Sequence, residues 1–257
     1  MPGPSISPDH SATVAIPARL ASTRLPRKVL LDLGGKPVVQ HVWERVRQMR
    51  NAARVVILAD GQEVADAARA FGAEVFLTDP ALPSGTARLA SVLGRLPGAF
   101  FLNVQGDEPC IAPALLDALV ERWRQTRCEL VTAVAPLRDP ACLANPNVVK
   151  VVRAGDGRAL YFSRSPVPFR RGLPPAEWLA DGAVAYWSHI GVYGYAREVL
   201  AGYPMLPVSE NEKTESLEQL RFIEHGKCIQ TVETDYHPVS IDTPEDLEKA
   251  RALFSKG

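Results

Sequence analysis

The sequence predicts an α/β protein built on a mostly parallel, doubly wound sheet, with an antiparallel hairpin and flap inserted late in the chain. Three observations carry this expectation. Short aliphatic runs alternate with amphipathic helical stretches from Val14 to Ala135. Alternation at that spacing calls for right-handed crossovers between parallel strands. After Pro136 the pattern changes to a Gly-turned hairpin and a long Pro-rich loop. Composition agrees: of 257 residues, 46% are hydrophobic and 23% charged, too aliphatic for a disordered chain and enough for a well-buried core.

The elements follow in order. Val14-Ala15-Ile16 reads as a buried strand ending at Pro17, followed by a polar loop from Ala18 to Lys36. Pro37 is expected at the first position of a helix whose Val38, Val39, Val42, Val46 and Met49 repeat at helical spacing and form core. Val55 to Ala59 is a strand covered on both faces, then come a helix from Glu63 to Phe71 and a strand from Glu74 to Leu77. A loop from Thr78 to Ser84 leads into a helix through Arg88, Leu89 and Val92. Phe100 to Val104 is a strand that stops at Gln105-Gly106-Asp107-Glu108-Pro109, followed by a helix from Leu115 to Trp123 and a strand from Leu130 to Ala135.

Beyond Pro136, Val148 to Val152 and Ala159 to Phe162 flank Ala154-Gly155-Asp156-Gly157 as an antiparallel hairpin. The loop from Arg164 to Trp187 is long enough to mark a functional or partner-contacting segment. Ile190 to Tyr195 reads as a strand and Glu215 to Glu224 as one helix. After the Val239-Ser240-Ile241 run, Thr243 caps a last helix, with Pro244 at its first position and acids in its first turn, ending near Phe254. Residues 1–12 read as a flexible tail and 13–257 as a single domain, with about 137–195 as a sub-region.

Several classes are set aside. Lys plus Arg is 29 and Asp plus Glu is 29, a balance unlike that of a general nucleic-acid or membrane-surface binder. No apolar run approaches the ~20 residues of a membrane-spanning helix. The first residues lack a basic segment followed by an apolar run, so no secretory signal is expected and a cytoplasmic location is. Cys110, Cys128, Cys142 and Cys228 are widely spaced and read as reduced thiols rather than a zinc site.

Ligands on open α/β sheets bind at the carboxyl ends of the strands, so the loops after Ile16, Val104 and Ile241 are the informative ones. The first places Arg19, Ser22, Thr23, Arg24, Arg27 and Lys28 just past a buried strand. Dispersed cations, forked Arg donors and hydroxyls suit a triphosphate, although the Walker A spacing is absent. A solvated basic loop is the bland alternative. The second empties a strand into Gly106 and then Asp107, a setting for a carboxylate that holds Mg²⁺ or, equally, for a tight turn or for Asp107 and Glu108 capping the helix after Pro109. The third presents Asp242, which is either part of a helix cap or, if it meets Asp107, a second ligand. Two carboxylates and a basic loop at one sheet edge are the parts of a Mg²⁺-dependent phosphate site.

The chain resembles the 3-deoxy-manno-octulosonate (Kdo) cytidylyltransferases in colinear order over nearly its whole length. The resembling residues are Ile16-Pro-Ala-Arg-x-x-Ser-Thr-Arg-Leu-Pro-x-Lys28, Ser84-Gly-Thr86 with Arg88, Asn103-Val-Gln-Gly-Asp-Glu-Pro109, Asn145-Pro-Asn147 and Ala159-Leu-Tyr-Phe-Ser-Arg164. They continue with His189-Ile-Gly-Val-Tyr-Gly-Tyr195, Leu217-Glu-Gln-Leu-Arg221 and Asp242-Thr-Pro-Glu-Asp-Leu247. The resemblance implies a Rossmann-like nucleotidyltransferase fold and a reaction of CTP with Kdo to give CMP-Kdo and pyrophosphate for lipopolysaccharide biosynthesis. It also implies Mg²⁺ as cofactor and a homodimer, with the post-Pro136 region as substrate-binding and dimerisation flap.

By position, the resemblance assigns Arg19, Ser22, Arg24 and Lys28 to the CTP phosphates, and Ser84, Thr86 and Arg88 to the neighbourhood of the cytosine. It assigns Asp107 and Asp242 to the metal, and Gln105, Arg164, His189, Tyr193, Glu218 and Gln219 to the sugar acid. Arg19, Arg24, Lys28, Asp107 and Asp242 are the expected catalytic set, and Arg164 the expected anchor of the sugar carboxylate. The chain departs from the family pattern at Arg27, where the family has Gly, at Leu82, where it has His, and at Ala87, where an acid is common. Three rivals remain at this stage. One is a cytidylyltransferase for an amino-Kdo analogue or an acylneuraminate, another a sugar-1-phosphate thymidylyltransferase, and the third a catalytically silent nucleotide-binding module.

Overall fold

The protein is represented by a computed structural model that describes residues 11–254 apart from 23, 175, 176, 181 and 183. Thr23 and the first ten residues of the expected tail therefore lie outside the described residues. The chain runs through β1 (Ala12–Ala18), β2 (Asp32–Leu33), β3 (Lys36–Pro37), α1 (Val38–Val46), β4 (Ala52–Ala59), α2 (Gln62–Ala70) and β5 (Glu74–Leu77). Next are α3 (Gly85–Ser91), β6 (Phe100–Asn103), α4 (Pro113–Thr126), β7 (Leu130–Pro136), α5 (Pro140–Ala144), β8 (Lys150–Arg153) and β9 (Ala159–Ser163). It closes with β10 (Trp187–Ala196), α6 (Arg197–Gly202), α7 (Glu210–Glu215), α8 (Gln219–Glu224), β11 (Ile229–Glu233) and α9 (Pro244–Phe254).

The central sheet has the order β11-β7-β10-β6-β1-β4-β5, with the β8–β9 hairpin attached to the start of β10. β1 pairs in parallel with β4 and β6, β4 with β5, and β7 with β11. β10 alone among these seven is reversed, antiparallel to both β6 and β7. Both faces are covered, as the aliphatic runs require. Val14 and Ile16 of β1, with Ile57 of β4, pack under α1, α2 and α4, while Ala15, Val56 and Leu58 pack under α3, α6 and α8. The Val38, Val42 and Val46 stripe is wholly buried. Between β6 and β10 the fit is tight: a Cβ at Gly194 would lie 2.2 Å from Phe100 Cζ, and Phe100 in turn stacks on Trp123 at 4.5 Å.

The structure corrects the sequence reading at four places. β1 begins at Ala12, inside the expected tail, because Ala12 pairs with both β4 and β6. Pro37 sits at the cap of α1 with extended backbone rather than at its first helical position. The single helix expected from Glu215 to Glu224 is two helices, broken by Ser216 in left-handed backbone at φ 52°. The Val239–Ile241 run is not a strand. The strand that completes the sheet is β11, whose buried Ile229, Thr231 and Val232 fit that role, and residues 234–243 are a loop. The hairpin, its Gly157 turn at φ 84°, and the final helix capped by Thr243 Oγ1 on Asp246 N are as expected.

Within the stretch from 137 to 195, the long loop is tied down by its own small core of Leu143, Trp178 and Tyr186. β10 carries a bulge. Ile190 pairs with Ala133 but Tyr193 pairs with Thr132, so two extra residues bow out of the ladder. An even insertion preserves the alternation of faces, which keeps His189 and Tyr193 on the same side with their rings 5.2 Å apart. The fully buried Thr132 hydroxyl fills the bulge, donating to Val192 O at 2.8 Å and meeting His189 Nε2 at 3.1 Å.

Candidate active site

The carboxyl ends of β1 and β6 pass so closely that only glycine fits after Gln105: a Cβ at Gly106 would lie 2.7 Å from Pro17 O. This approach sets Asp107 against the basic loop. That loop is held by Leu20 N on Asp60 Oδ2 at 2.9 Å and by Arg27 N on Leu20 O at 3.0 Å, and it returns through a 3-10 turn at Lys28–Leu30. Arg27 adopts left-handed backbone at φ 61°, a conformation that glycine takes without strain, and its guanidinium pairs with Glu63.

Asp242 comes to the same place from the far end of the chain. Lys28 Nζ pairs with Asp107 Oδ2 and, at 2.7 Å, with Asp242 Oδ1, while Arg24 reaches Asp242 Oδ2 at 3.1 Å. Ile241 N donates to Asp107 O at 3.0 Å, stitching the two loops through their backbones. Burial pushes the Lys28 ammonium down, but the two carboxylates outweigh it and the net direction is up. Burial raises Asp242, and its contacts with Lys28 and Arg24 outweigh that, leaving its carboxyl below the usual range. Two carboxylates that meet on one cation fit a hard divalent ion that takes its other ligands from phosphate and water. Among the described residues no group of three or more His, Cys, Asp or Glu is arranged to hold a metal.

A cavity of about 290 Å³ opens beside the pair, lined by Arg19, Lys28, Ser84, Arg88, Gln105, Asp107 and Glu218, and by the departing residue Leu82. Ser84 caps α3 by accepting from Ala87 N at 3.1 Å, and Thr86 Oγ1 meets Tyr195 OH at 3.0 Å. The buried Arg88 guanidinium donates to Thr78 Oγ1 and, at 3.1 Å, to Asp79 O, bracing the turn that walls the cavity. Ser22 stands within the basic loop, its Oγ accepting from Leu25 N at 3.5 Å.

A second cavity of about 260 Å³ shares Gly85, Gln105 and Glu218 with the first and is also lined by Thr86, Asn103, Tyr193 and Gln219. Asn103 Oδ1, Glu218 Oε1 and Gln219 Nε2 are buried there without a hydrogen-bond partner in the protein. Buried polar atoms are nearly always satisfied, so such a cluster marks a place built for a polar ligand. The break between α7 and α8 sets Glu218 and Gln219 at a helix start rather than on an exposed helical face.

His189 lines a third cavity of about 700 Å³ together with Glu108, Arg138, Asp139 and His237. Burial pushes its imidazole down to about 3, so it is neutral across the working pH range. Arg164 lines none of these cavities. Its guanidinium donates to the carbonyls of Glu215 at 2.7 Å, Pro146 at 3.0 Å and Ser216 at 3.3 Å, and its backbone N to Glu215 Oε2. Sequence reasoning assigned no role to Asn103, Asp60 or Thr132, and read Glu108 only as a cap of the helix after Pro109, whose cap is Ala112 without a side-chain bond. Asn103 was detectable, as the one amide in an otherwise apolar strand; the other three depend on contacts that span the fold.

Comparison with known proteins identifies the family of the chain. Residues 13–229 match the family model described as cytidylyltransferase. The chain is 42% identical over 249 residues to the 3-deoxy-manno-octulosonate cytidylyltransferase of Chlorobium limicola, covering 96% of this chain and 98% of the relative. It is 43% identical over 241 residues to the enzyme of the same name from Geobacter sulfurreducens, covering 92% and 96%. Among solved structures it is similar to CMP:2-keto-3-deoxy-manno-octonic acid synthetase complexed with CTP, with a TM-score of 0.89, 40% identity, and 96% and 99% of the two chains covered. At 14% identity and a TM-score of 0.63 it shares the fold of 4-diphosphocytidyl-2C-methyl-D-erythritol synthase from Anaerococcus prevotii, covering 96% and 100% of the chains. The Rossmann-like sheet, the matched segment and the near-complete coverage agree, and the chain belongs to the 3-deoxy-manno-octulosonate cytidylyltransferase family.

Proposed function

We propose that this chain transfers CMP from CTP to Kdo, releasing pyrophosphate and giving CMP-Kdo for lipopolysaccharide synthesis. The observation that supports the reading best is the meeting of Asp107 and Asp242 on one cation, beside a basic cavity that adjoins a pocket of unpartnered polar atoms. Arg19, Ser22, Arg24 and Lys28 would bind the triphosphate, and Ser84, Thr86 and the Arg88-braced turn would face the base. Gln105, Tyr193, Glu218 and Gln219 would hold the sugar acid, with His189 as a neutral hydrogen-bonding partner.

In the reaction the anomeric hydroxyl of the sugar attacks the α-phosphorus of CTP, the new P–O bond forms, the hydroxyl proton passes to solvent water, and the bond to pyrophosphate breaks. Negative charge grows on the phosphoryl oxygens, and the fixed charges of Arg19, Arg24 and Lys28 offset it. Asp107 and Asp242 would hold Mg²⁺, which lowers the pKa of the attacking hydroxyl when bound. For the sugar carboxylate, Arg164 would have to release a backbone carbonyl. A role in holding the turn before Glu218 fits its contacts better.

We also propose a cytoplasmic homodimer that uses the region 137–195, which sedimentation velocity tests. The function is tested by pyrophosphate release with CTP and each of Kdo, an amino-Kdo analogue and neuraminic acid. Turnover with Kdo, its loss on chelation of divalent ions, and a folded but inactive Asp107→Ala variant support the reading. Turnover with neuraminic acid but not Kdo overturns the substrate, and CTP binding without any pyrophosphate favours a silent module. Leu82 lines the cavity beside the basic loop, so UTP belongs in the same assay as a measure of base selectivity.

A further inference from the structure

Asp242 lies on the loop 234–243 between β11 and α9, outside regular secondary structure. Its carboxylate must nevertheless meet that of Asp107 to share an ion. The side chain next to Asp107 does the joining. Glu108 Oε1 accepts from Ser240 Oγ, and Glu108 Oε2 accepts from Tyr236 OH at 3.2 Å, so both oxygens are given to the loop that presents Asp242. Glu108 itself stands on a fixed turn, its N donating to Gln105 O at 3.3 Å and its O accepting from Ile111 N at 3.0 Å.

A third carboxylate beside Asp107 and Asp242 costs electrostatic repulsion, and it is not a third ligand. Both of its oxygens engage hydroxyls rather than the shared cation, which is paired with Asp107 and Asp242. What the repulsion is offset by is geometry: a carboxylate accepts two hydroxyl donors at once and so fixes two points of an irregular loop.

We propose that Glu108 is a positioning residue, clamping the Tyr236–Ser240 segment so that Asp242 meets Asp107 at one ion. The proposal rests on the reading of that pair as the metal site. Removing a group that orients a metal ligand typically weakens metal affinity or activity by roughly 10- to 100-fold.

The test measures Mn²⁺ binding by electron paramagnetic resonance in the presence of CTP without sugar acid, the Mg²⁺ dependence of pyrophosphate release, and thermal melting. Glu108→Ala is expected to weaken Mn²⁺ binding and raise the half-saturating Mg²⁺ concentration by roughly 10- to 100-fold, with KM for the sugar acid unchanged. Glu108→Gln keeps an acceptor and should recover most of the loss. Glu108→Ala with Ser240→Ala should be no worse than Glu108→Ala alone, because the contact that Ser240→Ala removes is already lost with Glu108. A Glu108→Ala protein that melts lower but binds Mn²⁺ like the wild type overturns the proposal, as do multiplying losses in the double variant. If wild-type turnover survives chelation, the metal reading falls instead. The clamp is then judged by turnover of Glu108→Ala, Asp242→Asn and their combination, where losses that multiply overturn it and losses that do not multiply support it.

Discussion

Replacing Lys28 with methionine tests the heart of the site without any ligand present. Lys28 is 11% exposed and Asp107 18%, so the substitution leaves a poorly solvated carboxylate beside Asp242, which is 34% exposed and keeps Arg24. Removing one partner of a fully buried pair costs about 3–5 kcal/mol and of a surface pair about 0–1 kcal/mol. The partial exposure here puts Lys28→Met at about 2–3 kcal/mol, and its melting temperature roughly 4–12 °C below wild type. The sign with pH follows from the two shifts. Asp242 has its pKa lowered from 3.8, so its contribution is present above that value and is lost as pH falls through the lowered one. Lys28 has its pKa raised from 10.5, so its contribution is present below 10.5 and is lost as pH rises through the raised value. The gap between wild type and variant should therefore be full between roughly pH 5 and pH 10 and close in stronger acid. Thermal unfolding followed by circular dichroism, without nucleotide or divalent ion, measures it. Equal melting temperatures at pH 7, or a gap that persists undiminished below pH 3, would refute the electrostatic account of the Lys28 bridge.

Three further outcomes are expected. Gly106→Ala places a Cβ 2.7 Å from Pro17 O, forcing β6 away from β1; the protein should fold while turnover falls on the order of 100-fold, and wild-type turnover would contradict the close-approach account. His189, with its imidazole pushed down to about 3, should give pH-independent imidazole NMR shifts from pH 5 to 8, and a midpoint near 6.5 would show that it is solvated. Arg27→Gly removes a left-handed non-glycine residue costing about 1–2 kcal/mol. It also loses an exposed pair with Glu63 and gains unfolded-state entropy, so the net is a gain of up to about 1 kcal/mol, and a lowered melting temperature would count against backbone strain at this position.

Much of the site was legible along the chain because its parts sit where strands end. The run Val14 to Ile16 breaking into Arg19 to Lys28, and Phe100 to Val104 breaking into Gly106 and Asp107, mark a sheet edge by local pattern alone. What depended on contacts between remote segments was not legible. The αL residue Ser216 splits a periodic stretch that reads as one helix, and that split gives Glu218 and Gln219 to the pocket. Arg164, chemically suited to a carboxylate, is drawn instead to three backbone carbonyls of neighbouring turns.

The sequence by itself determined the class of the sheet and the presence of one basic loop and two aspartate-bearing loops, since hydrophobic period and residue chemistry are local properties. Only the tertiary structure decided that β10 enters in reverse between β6 and β7, carrying Tyr193 opposite Asn103 and His189 opposite Val134. It also decided that one ammonium, Lys28, draws Asp107 and Asp242 together, and that Glu108 ties down the loop bearing Asp242. The physical reason is the same in each case. Strand order and ion pairing are fixed by the free energy of packing segments far apart in the chain, and no local pattern encodes which of them will meet.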